Sequence, residues 1–212
     1  MRFRPSLDPG EIGFDPAAWP VPIPFDAVFG GPAGGRLELE IGSGKGTFLR
    51  QEAALRPGDR FLGIEYVRQI AGYAADRLRR AGLSNTRLYC GDAKALVSER
   101  IGAQTFDAVH VYFPDPWPKA RHHKRRLIQA PFVAELARIL KPGGELRVVT
   151  DHPGYAEQIA AVLATSGLLE RPYTPPISAG PGEFVGTNFE RKYRLRDGRP
   201  SFPFARQRPL AG

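Results

Sequence analysis

The chain has 212 residues, 42% of them apolar, which suits one domain with a sizeable core and an extension and argues against two independent cores. Its longest apolar runs, such as Phe106 to Phe113, are strand-length and well short of a membrane span. No secretory h-region follows Met1, and the single Cys90 cannot form an internal disulfide, so a cytoplasmic protein without a membrane partner is expected. Thirty Lys and Arg against 22 Asp and Glu give a formal charge of +8, which favours a polyanionic partner.

Residues 1–35 hold seven Pro and six Gly with no apolar period. They read as an irregular N-terminal arm outside the core, either a tail or a flap that orders over a ligand. From Arg36 the texture changes, and 36–212 reads as the folded domain. Leu37 to Ile41 is a short strand running into Gly42-Ser43-Gly44-Lys45-Gly46, and Thr47 to Leu55 follows at helical spacing. Phe61 to Tyr66 is a second strand, Arg68 to Ala81 a helix, Arg87 to Gly91 a third strand, and Ala93 starts a short helix. Phe106 to Phe113 is a continuous apolar strand stopped by Pro114-Asp115-Pro116-Trp117-Pro118. Leu127 to Leu140 is a helix ending at Lys141-Pro142-Gly143-Gly144, Glu145 to Thr150 a fifth strand, and Asp151 with Pro153 opens a helix to about Ser166. This alternation predicts an α/β fold, a doubly wound, mostly parallel Rossmann-like sheet with helices on both faces. Further on, Leu168 to Tyr173 and Ser201 to Arg206 are candidate strands, the latter weakened for a sheet interior by Pro203. Thr187 to Leu195 is a candidate helix closed by Gly198.

In such sheets ligands bind outside the carboxyl ends of the strands. Glu40, Glu65, Asp92 and Asp115 fall at or near four of those ends, and Asp151 at a fifth. One strand-end carboxylate is often a helix cap; five in corresponding places suggest a site. The glycine loop fits neither phosphate motif, because Thr47 stands where a dinucleotide fingerprint needs Gly and Gly46 follows Lys45 where a P-loop needs Ser or Thr. With an anion at Glu40 beside Gly42 and Gly44, the loop suits a ligand carrying positive groups better than a pyrophosphate. S-adenosylmethionine, with its ammonium and sulfonium, fits. Glu65 lies 25 residues on, near the spacing at which a carboxylate reaches a ribose diol, and Asp92-Ala93 would face the adenine.

The segment around Asp115 and Trp117 is stiffened by three prolines, as suits a preorganised site or a rigid loop covering the core. Five Lys or Arg and two His lie within Lys119 to Arg126, and seven more Lys or Arg within Arg191 to Arg208. The first run directly follows the candidate catalytic strand end, so Arg121, His122, His123, Lys124, Arg125 and Arg126 read as an RNA phosphate surface rather than a solvated face alone. No acidic or Cys cluster completes a metal site around the two histidines, and none is expected. Cys90 reads as a small buried hydrophobe.

Glu40 to Gly46, Gly63-Ile64-Glu65, Phe113 to Lys119 with its basic tail, and Thr187-Asn188-Phe189-Glu190 together resemble the bacterial tRNA (guanine-N7)-methyltransferases. The motifs occur in that family's order over about residues 36–195. The proline-aspartate-proline-tryptophan segment is the specific element; the glycine loop is common to class I methyltransferases. The resemblance implies a seven-stranded class I fold and transfer of the methyl group of S-adenosylmethionine to N7 of the variable-loop guanine, position 46, of tRNA, with S-adenosylhomocysteine as the product. It implies that Glu40, Glu65, Asp92 and Asp115 contact the cofactor, that Asp115 is catalytic, and that Lys119, Asp151, Thr187, Asn188, Phe189 and Glu190 bind substrate. Glu190 has two readings, an acceptor for the guanine N1 and N2 protons and, with Thr187, a helix capping box; Asp151 is likewise an N-cap candidate. Two rivals are an amino-methyltransferase acting on another base and a non-enzymatic RNA-binding protein on the same fold. Monomer and homodimer are both open.

Overall fold

The computed structural model describes residues 10–31 and 34–210; the first nine residues of the expected arm, residues 32–33 and residues 211–212 lie outside them. The chain divides into two compact units, Met1–Gly102 and Ala103–Gly212.

In the first unit, strands β1 (Leu37–Ile41), β2 (Arg60–Glu65) and β3 (Thr86–Cys90) are parallel and ordered β3-β2-β1. Every residue of β1 and β2 is buried, as a parallel sheet covered on both faces requires. Alternation along β1 sends Leu37, Leu39 and Ile41 one way and Glu38 and Glu40 the other. Of the helices α1 (Phe25–Val28), α2 (Thr47–Leu55), α3 (Arg68–Arg80) and α4 (Ala93–Arg100), α3 buries Ala71, Ala74, Ala75 and Leu78 at helical spacing. Arg77, Arg79 and Arg80 in its last turn complement the negative end of the helix dipole.

The arm is more than the sequence reading allows. Ile12, Phe14, Ile23, Phe25 and Val28 are buried, Gly13 forms a parallel bridge to Leu88, and the Phe14 N–H donates to the Leu88 carbonyl at 3.0 Å. The Arg100 guanidinium donates to the carbonyls of Pro16 and Trp19 at 2.8 and 2.7 Å. These contacts carry no sequence period because the arm meets the core residue by residue rather than along a helix or strand face.

The second unit orders its strands β4-β5-β7-β6, with β4 (Phe106–Tyr112), β5 (Leu140–Thr150), β6 (Leu169–Arg171) and β7 (Phe202–Gln207). β4 and β5 are parallel; β7 runs antiparallel to both β5 and β6. Phe106 pairs with Leu140 and the register then slips, so that Ala108 pairs with Glu145 and residues 141–144 bulge out. Helices α5 (Ala130–Ile139) and α6 (Pro153–Ala164) pack on β5, α6 also on β7, and α7 (Asn188–Asp197) follows a long loop.

Pro203 sits inside β7 after all, opposite Val149. Val149 turns its carbonyl to Phe113 N–H, so its hydrogen-bonding groups point away from β7 and the pair is of the non-hydrogen-bonded type. The N–H that Pro203 lacks would therefore have pointed toward β6, which pairs only with residues 205–207. The proline costs the ladder nothing.

Candidate active site

In the first unit the glycine loop is anchored to the end of β2: Gly42 and Ser43 N–H both donate to the Ile64 carbonyl, at 2.8 and 2.9 Å. Gly42 and Gly44 adopt left-handed backbone, φ +80° and +53°, and a Cβ at either would point into open space. Conformation, and not crowding, therefore calls for glycine at both.

Two carboxylates on the same face of β1 have opposite environments. Glu38 is neutralised by the Arg56 guanidinium, which reaches its two oxygens at 2.8 Å each, and by Arg36. Glu40, only 4% exposed, has no cation partner among the described residues, and its Oε2 is buried without a hydrogen bond. Burial raises its carboxyl pKa to about 8; Ser43 opposes the rise and the nearby Glu65 charge adds to it. A buried carboxyl with one oxygen unpaired, beside an open glycine cradle, fits the positive group of a ligand.

Glu65 clamps the loop, its Oε2 accepting from Gly44 N–H at 2.8 Å and its Oε1 from Val67 N–H at 2.9 Å. Each oxygen keeps a second lone pair for a hydroxyl donor. Asp92 is exposed and caps α4, Oδ1 accepting from Lys94 and Ala95 N–H at 2.7 and 3.3 Å. The bland and the functional readings of Asp92 coexist, because Oδ2 is not used in the cap. Ala93 follows as the half-buried first residue of α4. Cys90, expected to be buried, ends β3 with an exposed side chain, since the strand's buried positions stop at Leu88.

The second unit holds the other half of the predicted set. β4 ends at Tyr112, and the next residue, Phe113, has φ +50°; Trp117 has φ +42°. Bulky side chains seldom adopt left-handed backbone, and such strain collects at functional sites. The two strained aromatics bracket Asp115, which is exposed and accepts no hydrogen bond from the described residues. Trp117 is flanked by the Arg125 guanidinium, 5.0 Å over its ring, and by His122, edge-on at 5.8 Å. Lys119, Arg121, Lys124 and Arg125 are exposed on the short 3-10 turn and its lead-in, and His122 and His123 are half-buried.

Arg126 leaves this surface. It is 2% exposed; its Nε donates to the Pro116 carbonyl at 2.8 Å, and its Nη1 to the Gly154 carbonyl and Gln158 Oε1 at 3.2 and 2.7 Å. It stacks over Tyr155 and braces the proline segment from within. The C-terminal basic run thins in the same way. Arg208 donates to the carbonyls of Ala137, Arg138 and Leu140 at the end of α5, Arg206 is buried, and Arg191 forks onto Glu183 at 2.6 and 2.8 Å. That fork holds the Glu183 carboxyl below the usual carboxylate range.

Thr187 caps α7, its Oγ1 accepting from Glu190 N–H at 3.2 Å. Glu190, 1% exposed, is turned to the preceding loop: Oε1 accepts from Phe184 N–H, and Oε2 from Val185 and Gly186 N–H, at 2.6 to 2.9 Å. It reaches back beyond the cap residue, so a capping-box spacing has become a clamp on the preceding loop. The N-cap of α6 is His152, through Nδ1, whereas Asp151 pairs with Arg199 at 3.2 Å. Asn188 and Phe189 are exposed at the start of α7. Among the described residues no group of three His, Cys, Asp or Glu is placed to hold a metal, and no helix is long and apolar enough to cross a membrane.

Solved structures place the fold in a class. A 16S rRNA methyltransferase, KamB, superposes with a TM-score of 0.59 at 17% identity, covering 82% of this chain and 88% of that one. A SAM-dependent methyltransferase from Aquifex aeolicus gives 0.57 at 16%, covering 93% and 91%. The seven strands and their helices thus form the Rossmann-like methyltransferase fold. The same fold carries other chemistry, as in the [4+2]-cyclase SpnF, with a TM-score of 0.55 at 20% identity over 84% of this chain and 76% of that one. The chain belongs to the family described as "Putative methyltransferase", whose model matches residues 35–199. It is 45% identical over 171 residues to a tRNA (guanine-N(7)-)-methyltransferase of Burkholderia pseudomallei, and 44% identical over 174 residues to one of Nocardia farcinica. These alignments cover 79% and 78% of this chain but 62% and 64% of the relatives, so the chain spans somewhat under two thirds of the curated proteins it matches.

Proposed function

We propose that the protein transfers the methyl group of S-adenosylmethionine to N7 of a tRNA guanine, that of position 46 in the variable loop. The observation that carries the reading is the 45% identity to proteins of that name over a stretch holding most of the chain. In the first unit, Glu40 binds the positive end of the cofactor, Glu65 the ribose, and Asp92 with Ala93 the adenine, over the backbone of Gly42 and Gly44. In the second unit, Asp115 faces the base, with Lys119, Asp151, Thr187, Asn188 and Phe189 on the substrate side. S-adenosylmethionine supplies an electrophilic methyl group.

Guanine N7 attacks through an in-plane lone pair and loses no proton, so no general base is required. The purine becomes cationic as the bond forms. An exposed aspartate held between two strained residues supplies a fixed negative charge for that developing cation. The exposed cations Lys119, Arg121, Lys124 and Arg125 meet RNA phosphates.

The test is methyl transfer from labelled S-adenosylmethionine to an unmodified tRNA transcript, followed by nucleoside analysis. Release of 7-methylguanosine from the variable loop is expected. A methyl group on an exocyclic amine would favour the amino-methyltransferase reading, and RNA binding without transfer the non-enzymatic one.

A further inference from the structure

α7 is a charged helix whose first turn carries an aromatic side chain in the open, Phe189, 41% exposed. A single exposed phenylalanine is unremarkable. This one adjoins two further rings, both tilted to it: Phe113 with ring centres 4.8 Å apart at an interplanar angle of 37°, and Tyr193 at 4.6 Å and 50°. Tyr193 in turn carries two cations, Arg199 at 4.4 Å and Lys192 at 5.0 Å from its ring centre. Arg199 is fixed from its far side by Asp151 at 3.2 Å. Both neighbouring rings are therefore held, Phe113 by its place at the end of β4 and Tyr193 by its cations. An apolar π-face beside positive charge is the chemistry of a site for single-stranded nucleic acid.

The ring cluster starts two residues before Asp115 and continues along α7. Glu190, next to Phe189 on α7, accepts from three backbone N–H groups of residues 184–186 and so ties the start of the helix to the preceding loop. We propose that the exposed part of the Phe189 ring stacks on an unpaired nucleobase next to the one that is methylated, with Lys192 on the adjoining phosphate. The proposal rests on the tRNA methyltransferase reading. It gives Phe189 the task of holding the strand open beside the reacting base, and Glu190 that of a positioning residue.

The test uses the full chain with four synthetic tRNAs: one intact, two with an abasic site immediately 5′ or 3′ of the target guanosine, and one abasic at the target itself. In the wild type, one of the two flanking abasic sites is expected to raise KM for tRNA roughly 5- to 100-fold, as the loss of one base–aromatic stack does. Phe189→Leu keeps the apolar volume without the π-face. It should raise KM for the intact tRNA by a similar factor, and the sensitive abasic site should then add nothing. Phe189→Trp should restore the wild-type pattern, and S-adenosylmethionine affinity and the melting temperature should show that each variant is folded. An unchanged KM in Phe189→Leu overturns the proposal, as does full additivity of Phe189→Leu with the abasic site. Additivity at both neighbours combined with loss of binding to a tRNA abasic at the target itself would place the target base on Phe189 instead. A wild type that yields no 7-methylguanosine from the intact tRNA sinks the methyltransferase reading by itself. Equilibrium binding of the same RNAs to wild type and Phe189→Leu then decides on the stacking separately.

Discussion

Glu40→Gln separates the two roles of a carboxylate that the fold buries at a cost. A carboxyl whose folded pKa of about 8 exceeds its ordinary 4.5 keeps a proton in the folded chain that the unfolded chain has released. The folded state then binds more protons throughout that window, so stability falls as pH rises from about 4.5 and stops falling above about 8. At about 1.36 kcal/mol per pH unit, the ceiling of this loss is roughly 5 kcal/mol. Glutamine has the same shape and no charge to bury. Denaturant unfolding should find Glu40→Gln more stable than the wild type by roughly 2 kcal/mol at pH 6, widening to roughly 4–5 kcal/mol at pH 9. Cofactor binding should move the other way. A cationic ligand selects the ionised carboxylate, so calorimetry at pH 7 in buffers of different ionisation enthalpy should show release of close to one proton on binding S-adenosylmethionine. Losing a charge-assisted contact in Glu40→Gln should weaken that binding about 10- to 100-fold. A stability difference that does not vary with pH, together with binding that releases no proton, would refute the assignment of Glu40 as a buried proton-holding site for a cation.

Asp115→Ala should lower kcat by about 100- to 1,000-fold with little change in S-adenosylmethionine affinity, and Asp115→Asn by less; a fully active Asp115→Ala would remove the aspartate from the chemistry. Arg126→Ala strands two carbonyls and an amide oxygen and should cost roughly 2–4 kcal/mol in unfolding experiments, whereas Arg125→Ala should leave stability nearly unchanged and weaken tRNA binding. Glu190→Ala frees three N–H groups of residues 184–186 and should accelerate their hydrogen exchange; unchanged protection would mean the clamp is not holding that loop. With Arg126 withdrawn, four exposed cations remain in the first basic run, so raising salt from about 50 to 200 mM should weaken tRNA binding roughly 50-fold, and salt-insensitive binding would contradict the phosphate contacts.

What the sequence conveys well is whatever depends on period and spacing. β1 to β5 fall where alternating strand and helix signals put them, and the glycine loop, Glu65 and Asp92 lie at strand ends as expected. What it conveys poorly is the direction of a side chain. Arg125 and Arg126 are adjacent and chemically identical, yet the turn aims one over Trp117 and buries the other against Tyr155. Glu190 meets three N–H groups of the preceding loop through the left-handed turn at Gly186, which no spacing announces. The penalty for Pro203 in a strand depends on how far the neighbouring β6 extends, which its own sequence does not state. The ring cluster Phe113–Phe189–Tyr193 joins residues about 75 positions apart, and only the fold brings them together.

The docking of Gly13 and Phe14 along Leu88 has a consequence for handling the protein. β3 is the outermost strand of its unit, and a strand in that position offers a row of unpaired N–H and C=O groups to any passing chain. The arm occupies part of that row with backbone of its own and sets Phe14 edge-to-face with Tyr89. A chain trimmed to start at Arg36, where regular structure begins, would lose a seal and not a loose end. It would be expected to associate through the bared strand even while its individual elements stayed folded.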